Sequence, residues 1–326
     1  MVYTAKQGEK WLVVEDEKPS PAYDFIMAGT LGFSPDSQHV AYVAKQGGKY
    51  FAVVDGKPGP TCDKIEAGTL DFSPDSQHVA YVAQQGLKQS VVVDDKSGPA
   101  YDKIDAGIPI FSPDSRRVVY AAMQGDKWLV MVDEKPGPTY DEMWGRPIFS
   151  PDSQHVAYLA RKREKYSVVV DGKPGSTYNR TISPVFSPDS QHIAYYVEQG
   201  YMWLVVVDGK SGPAFENAYN PVFSPDSQHV AYYAGNQNDK WFVVVDGKLG
   251  TEYDKISDLV FSPDSQHVAY LANQGDKRLV VMDGVASPAY DMIKGKLVFD
   301  NPTILHTLVV RDNTIYRVEL TITETK

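Results

Sequence analysis

The chain has 326 residues, 42% hydrophobic and 12% aromatic, with a net charge of -10 and a pI near 5.2. That acidic balance, with no basic stripe beyond Arg161-Lys162-Arg163, excludes nucleic acid and anionic membrane surfaces as expected partners. The single cysteine, Cys62, excludes an intrachain disulfide, and it stands where sister segments carry Tyr or Phe, so a packed thiol is expected rather than a nucleophile.

The first residues, "MVYTAKQGEKWLVV", lack a basic segment followed by an apolar core, so no signal peptide is expected. The compartment stays open between the cytoplasm and export with a leader removed. Residues 1–29 read as a repeat without its beginning. The motif "FSPDS" then begins at Phe33, Phe72, Phe111, Phe149, Phe186, Phe223 and Phe261, at spacings of 39, 39, 38, 37, 37 and 38 residues. A decayed copy follows at Phe299, another 38 residues on. The repeat units run about 30–68, 69–107, 108–145, 146–182, 183–219, 220–257 and 258–295, with 1–29 and 296–326 as partial terminal repeats of one domain spanning 1–326.

Each unit divides the same way. In the copy starting at Thr69, "TLDFS" is a short strand A and "PDSQ" a turn, in which Pro74 presets φ and Asp75 and Ser76 fold onto nearby amides. "HVAYVA" is strand B, "QQGLK" a loop, "QSVVVD" strand C, "DKSGP" a second turn and "AYDKI" strand D. Nothing has helical length or a 3.6-residue period. Strands B and C are apolar on both faces, as in a sheet packed between two others. A four-stranded unit of about 38 residues repeated around eight times predicts an all-β chain, a β-propeller of antiparallel blades. Eight blades are expected, with nine or seven as alternatives. Closure is expected by pairing of N- and C-terminal strands, with residues 22–26 supplying the last repeat's missing strand D.

The "FSPDSxHVAY" unit with "VVVDG" downstream resembles the WD40-like propeller repeats related to the TolB C-terminal domain. The resemblance covers nearly the whole chain and implies the propeller fold. It implies no single activity, since such propellers serve as scaffolds, binders and enzyme-associated domains. The Gly-His and Trp-Asp pair of ordinary WD repeats is missing.

In a blade the A–B and C–D turns share one face, and the B–C and D–A connections share the other. The first face barely changes between copies. The second varies, above all three residues before each A-strand Phe: Thr30, Thr69, Ile108, Arg146, Ser183, Asn220, Asp258 and Lys296. Trp144, Arg180, Tyr219 and Lys294 sit beside them. A ring of unlike side chains on a symmetric frame suits an asymmetric ligand. The candidate binding residues are therefore Thr30, Thr69, Trp144, Arg146, Ser183, Tyr219, Asn220, Asp258 and Lys296. The competing expectation is drift on exposed loops.

Other constellations read as structural. His39, His78, His155, His192, His229 and His267 share one repeat position and would lie far apart on separate blades, so no metal site is expected. The Asp of each "VVVD" segment and the Tyr-Asp pairs of strand D read as turn chemistry. C-strand aromatics such as Trp128 and Trp203 are expected to pack between blades. No nucleophile elbow, P-loop or dinucleotide fingerprint appears, and no cofactor or catalytic residue is expected.

The expected function is non-enzymatic binding, as a monomer, of a protein, peptide or small polar ligand at the channel mouth. The alternatives are a structural or recently amplified repeat body, natural or engineered, and a channel-mouth hydrolase or lyase.

Overall fold

The computed structural model describes residues 1–105, 109–312 and 314–321, apart from the side chain of Ser183. Among the described residues every regular element is a β-strand. The strands form nine antiparallel sheets, of which seven carry a full A-B-C-D set. This is an all-β chain of β-propeller blades. Contacts divide it into two compact units, Met1–Arg163 with Val169–Lys173, and Glu164–Val168 with Pro174–Lys326.

The blade at 255–286 shows the plan. Strand A is Lys255–Phe261, B is Val268–Gln274, C is Lys277–Met282 and D is Val285–Ala286, in that spatial order. B and C are buried through their middles because neighbouring sheets cover both faces. The core accordingly lies between sheets. Val13, Tyr23, Tyr42 and Val53 form one such layer, joining the sheet at 2–19 to the sheet at 25–58.

One expected boundary is corrected. The segment read as strand D, "AYDKI", belongs to two blades. Its Tyr ends one blade through a bridge to strand C, as in Gln89 with Tyr101. Its Lys-Ile opens the next, as Lys103–Ile104 pair with Ala122–Met123. The true strand D lies earlier, in the "KPGP" stretch, for example Lys135–Tyr140. Residues 22–26 follow the same rule. Phe25–Ile26 pair with Ala44–Lys45 as the start of the next strand A, and so do not act as a strand D for the last repeat. Val2–Gln7, Lys10–Glu15 and Lys18–Pro19 form their own three-stranded sheet. Met292–Thr321 supply strands A, B and C of the last.

Strand A explains most of the drift in repeat spacing; one further residue comes from a B–C loop, where His229 and Asp246 stand 17 apart instead of 16. In the first complete blades it is broken, with Phe25–Ile26 and Gly32–Phe33 separated by a looped excursion. In later blades it is continuous with a bulge, between Tyr219 and Val222 and again between Ser257 and Val260. Cys62 fills a tyrosine's place, buried and bridged to Tyr50, and burial pushes its thiol pKa up.

Candidate functional site

On each of the two faces expected from topology, side chains tie the turns together. On the first, His39 Nδ1 meets Asp55 Oδ2 at 2.7 Å, and the Val40 amide donates to Asp55 Oδ1 at 3.0 Å. The A–B and C–D turns are thus pinned to each other. The same pair recurs at His78–Asp94, His155–Asp171, His192–Asp208, His229–Asp246 and His267–Asp283, at 2.6 to 2.7 Å. Arg117 takes the histidine's role opposite Asp133 at 2.8 Å. This assigns the repeated histidines and "VVVD" aspartates, and among the described residues no cluster able to hold a metal is formed.

The "SPDS" turn performs two tasks. Ser34 Oγ donates to Asp36 Oδ1 and accepts from the His39 amide, while Asp36 caps the Gln38 amide. These bonds hold the Asp36 carboxyl below the usual carboxylate range. The second serine, Ser37, adopts a left-handed φ of 61°. In the following blade its equivalent, Ser76, accepts the Asp36 amide at 3.0 Å. One turn therefore locks itself and hooks its neighbour.

On the opposite face the aspartate of "Tyr-Asp" is the clip, a role that reading single repeats missed. Asp63 accepts Lys49 Nζ at 2.5 Å from the preceding blade and the Gly86 amide at 2.7 Å from the following B–C turn. Lys88–Asp102–Gly125 repeats it at 2.7 and 2.8 Å. A signal was present: lysine opens most C strands 14 residues before this aspartate, and glycine follows 23 residues after it.

The candidate residues separate on this frame. Thr69 is 1% exposed; its hydroxyl donates to Glu66 O at 2.7 Å and accepts the Val82 amide at 3.0 Å. It stitches the broken strand A to strand B and presents nothing to a ligand, which corrects its reading as a contact residue. Thr30 makes the same two bonds, to Met27 O and from Val43. Asp258 is also committed, accepting the Leu297 amide of the next blade at 2.6 Å.

Asn220 and Asp258 have φ of 60° and 55°, and Gly29, Gly68 and Gly145 adopt 75°, 73° and 69° in their own strand-A excursions or bulges. The strand requires a left-handed residue there, and Asn, Asp and Gly are the types that accept it. Part of the apparent chemical diversity is thus conformational. Trp144 and Arg146 are exposed in one unit; Asn220 and Lys296 are exposed in the other. Ile108 and the Ser183 side chain lie outside the described residues.

The departures from symmetry that remain concentrate in residues 179–241. Asn179 replaces the clip aspartate and receives Lys165 Nζ at 2.6 Å. In the next repeat the clip lysine and aspartate become Met202 and Glu216. Strand B carries Tyr196 and Tyr233 where other blades have Val43, Val82, Ala121, Leu159 and Leu271. Tyr196 lies 5.7 Å from Trp203, over which Arg180 sits at 5.9 Å. Tyr219 contacts Tyr233 and Trp241, both at 5.3 Å between centroids. Burial, followed by the neighbouring Tyr196, raises the Tyr219 pKa. A run of packed aromatic rings, with the Arg180 guanidinium over Trp203 and exposed Asn220 next to Tyr219 in the chain, therefore lies in the second unit; Tyr233 is buried and its hydroxyl accepts the Leu259 amide at 2.8 Å. Tyr219, expected as a free contact, is half-buried in that packing.

No protein-family model and no curated protein matches the chain. Solved structures similar in backbone include a crystal structure of the eukaryotic initiation factor, at 10% identity and TM-score 0.45, covering 97% of this chain and 95% of that one. TolB from Acinetobacter baumannii is similar at 15% identity and TM-score 0.33, covering 79% of each chain. The β-propeller domain of the Trilobed protease from Pyrococcus furiosus is similar at 13% identity and TM-score 0.37, covering 81% of this chain and 96% of that one. These identities are too low to carry a shared activity.

Proposed function

We propose that the chain is a non-enzymatic binding propeller, acting as a monomer, that recognises a peptide or small polar ligand on the B–C/D–A face at 179–241. The observation that carries this reading is the coincidence there of three changes. The interblade clip loses its charge at Asn179 and is lost at Met202 and Glu216, strand B gains Tyr196 and Tyr233, and Arg180 and Asn220 stand beside the rings. Aromatic faces supply contact area at low entropic cost, and a guanidinium supplies a planar anion contact.

The test is a thermal-shift screen of peptides and polar metabolites on the full chain, followed by Arg180→Ala and Asn220→Gly. The reading expects weaker binding of any hit in both variants, with Gln77→Ala on the other face unchanged. Equal losses from the two faces overturn it. A purely structural repeat body is the second reading, favoured by the number of repeated polar groups already committed to clips; it expects no hit. The hydrolase or lyase reading expects turnover that is lost on replacing Trp144 or Arg146.

A further inference from the structure

The blade that opens at Glu142 departs from its sisters at a place the site at 179–241 does not use. In the earlier blades Met27, Glu66 and Asp105 bond through their amides to the middle of strand B. The residue at that place here is Trp144, paired with Leu159. Its side chain is 47% exposed. The strand bulges just beyond it, where Gly145 takes φ of 69° and Arg146 stands exposed.

Strand B of this blade, Val156–Lys162, runs into the chain's one stretch of three consecutive basic residues, Arg161-Lys162-Arg163. Arg163 holds φ at 58°, where the earlier turns place Gly8, Gly47, Gly86 and Gly125 at 57° to 63°. A β-carbon is unfavourable in that conformation, so the arginine works against the turn's own stability and calls for another reason. Its amide donates to Asp141. Its carbonyl accepts Arg161 Nη1 at 2.6 Å, while Arg161 Nε donates to Glu142 Oε2 at 2.6 Å. The backbone of Arg163 is thus fixed from both sides, and the Lys162 and Arg163 side chains stay exposed.

The charge here is also uncompensated. The lysines that open the earlier C strands, Lys49, Lys88 and Lys127, pair with Asp63, Asp102 and Asp141. Arg146, Lys162 and Arg163 make no ion pair among the described residues. In a chain of net charge -10 such a cluster attracts negative charge of short extent. A long polyanion would overrun it onto acidic surface, since Asp126 on the preceding blade's turn is 86% exposed. Leu159, opposite Trp144, lies four residues before Arg163, about 13 Å along the strand. An extended segment of about five residues covers that distance.

We propose that Trp144, Arg146, Lys162 and Arg163, all in the first unit, form a docking surface for a short acidic peptide segment of another protein. Its carboxylates meet the three cations, and an apolar side chain between them lies on the Trp144 ring. The surface is separate from the site at 179–241, so either reading can fail without the other.

The experiment measures fluorescence anisotropy of a labelled Glu-Glu-Leu-Glu-Glu peptide titrated with the full chain, with Gln-Gln-Leu-Gln-Gln as the neutral control. The expected result is saturable binding of the acidic peptide alone, weakened by added sodium chloride. Trp144→Ala should weaken it about tenfold, and Arg146→Gln or Lys162→Gln about threefold each. Arg163→Gly is the decisive variant. It restores the glycine of the sister turns, so it should keep or raise the thermal midpoint while weakening the peptide about threefold. Arg180→Ala, in the other site, should leave the peptide's affinity unchanged. Tighter binding of a single-stranded oligonucleotide or of phosphatidylserine vesicles than of the peptide overturns the proposal. So does the absence of saturable binding, or an affinity unchanged in Trp144→Ala and Arg163→Gly.

Discussion

The Asp114 backbone amide donates to Ser153 Oγ at 3.0 Å, joining two turns 39 residues apart in sequence. Ser153 is 1% exposed and holds φ at 67°. The serine thus supplies both a hydroxyl and a tolerated left-handed backbone. Ser153→Ala keeps the Cβ at this left-handed φ and removes the hydrogen bond, so it should cost about 1 kcal/mol. Ser153→Gly should cost less, because losing the Cβ relieves the left-handed strain and offsets part of the lost bond. Urea unfolding of the two variants checks the order; equal losses would remove the backbone argument.

Stability should fall in acid. Serine and amide donors hold the carboxyls of Asp36, Asp75, Asp114, Asp189, Asp226 and Asp264 below their ordinary value. A carboxyl whose pKa drops on folding adds stability above its unfolded value and loses that contribution as pH falls through the folded one. The melting temperature should hold above about pH 4 and decline below it. Asp75→Asn should make the decline shallower.

The His39–Asp55 pair acts in the opposite sense. The Asp55 hydrogen bond raises the pKa of His39. Its contribution is complete below about pH 6.5 and is lost as pH climbs through the raised value. His39→Gln should flatten the melting temperature between pH 6 and 8, as measured by calorimetry in matched buffers.

The clip on the other face has a local readout. Asp63→Ala removes the acceptor of the Gly86 amide while leaving the turn's glycine in place. Hydrogen exchange at Gly86 should speed up, and exchange at Gly125, held by Asp102, should not change. Unchanged exchange at Gly86 would show that the B–C turn holds itself.

Asn220 separates conformation from recognition. Asn220→Gly should leave stability nearly unchanged, since glycine adopts the required φ freely. Asn220→Val should cost about 1–2 kcal/mol from backbone strain. A stabilised Val variant in a melting assay would contradict the left-handed requirement.

The blade was legible in the sequence because its period, turn residues and two-sided apolar strands all point to the same unit. The D-to-A crossing was not. "AYDKI" alternates like one strand, and nothing in its hydropathy shows that Tyr101 bridges Gln89 while Ile104 pairs with Ala122. The variable ring was legible as variation but not as cause. Asn220 and Gly145 look chemically unrelated until φ shows a shared backbone demand, and Thr69 looks polar and available until its burial is known. The aromatic strip was half visible: Tyr196 and Tyr233 break a column of Val, Ala and Leu, but their stacking against Trp203 and Tyr219 needs coordinates.

Each repeat carries both halves of its joints, a donor amide at Asp36 for the blade after it and an acceptor hydroxyl at Ser37 in the place that Ser76 fills for the blade before. A duplicated or deleted segment of one full period would arrive or leave with matching hook and eye. Unequal crossing-over between near-identical copies could therefore change the blade number without any new interface having to be invented, and the copies nearest in wording should be the ones most prone to such exchange.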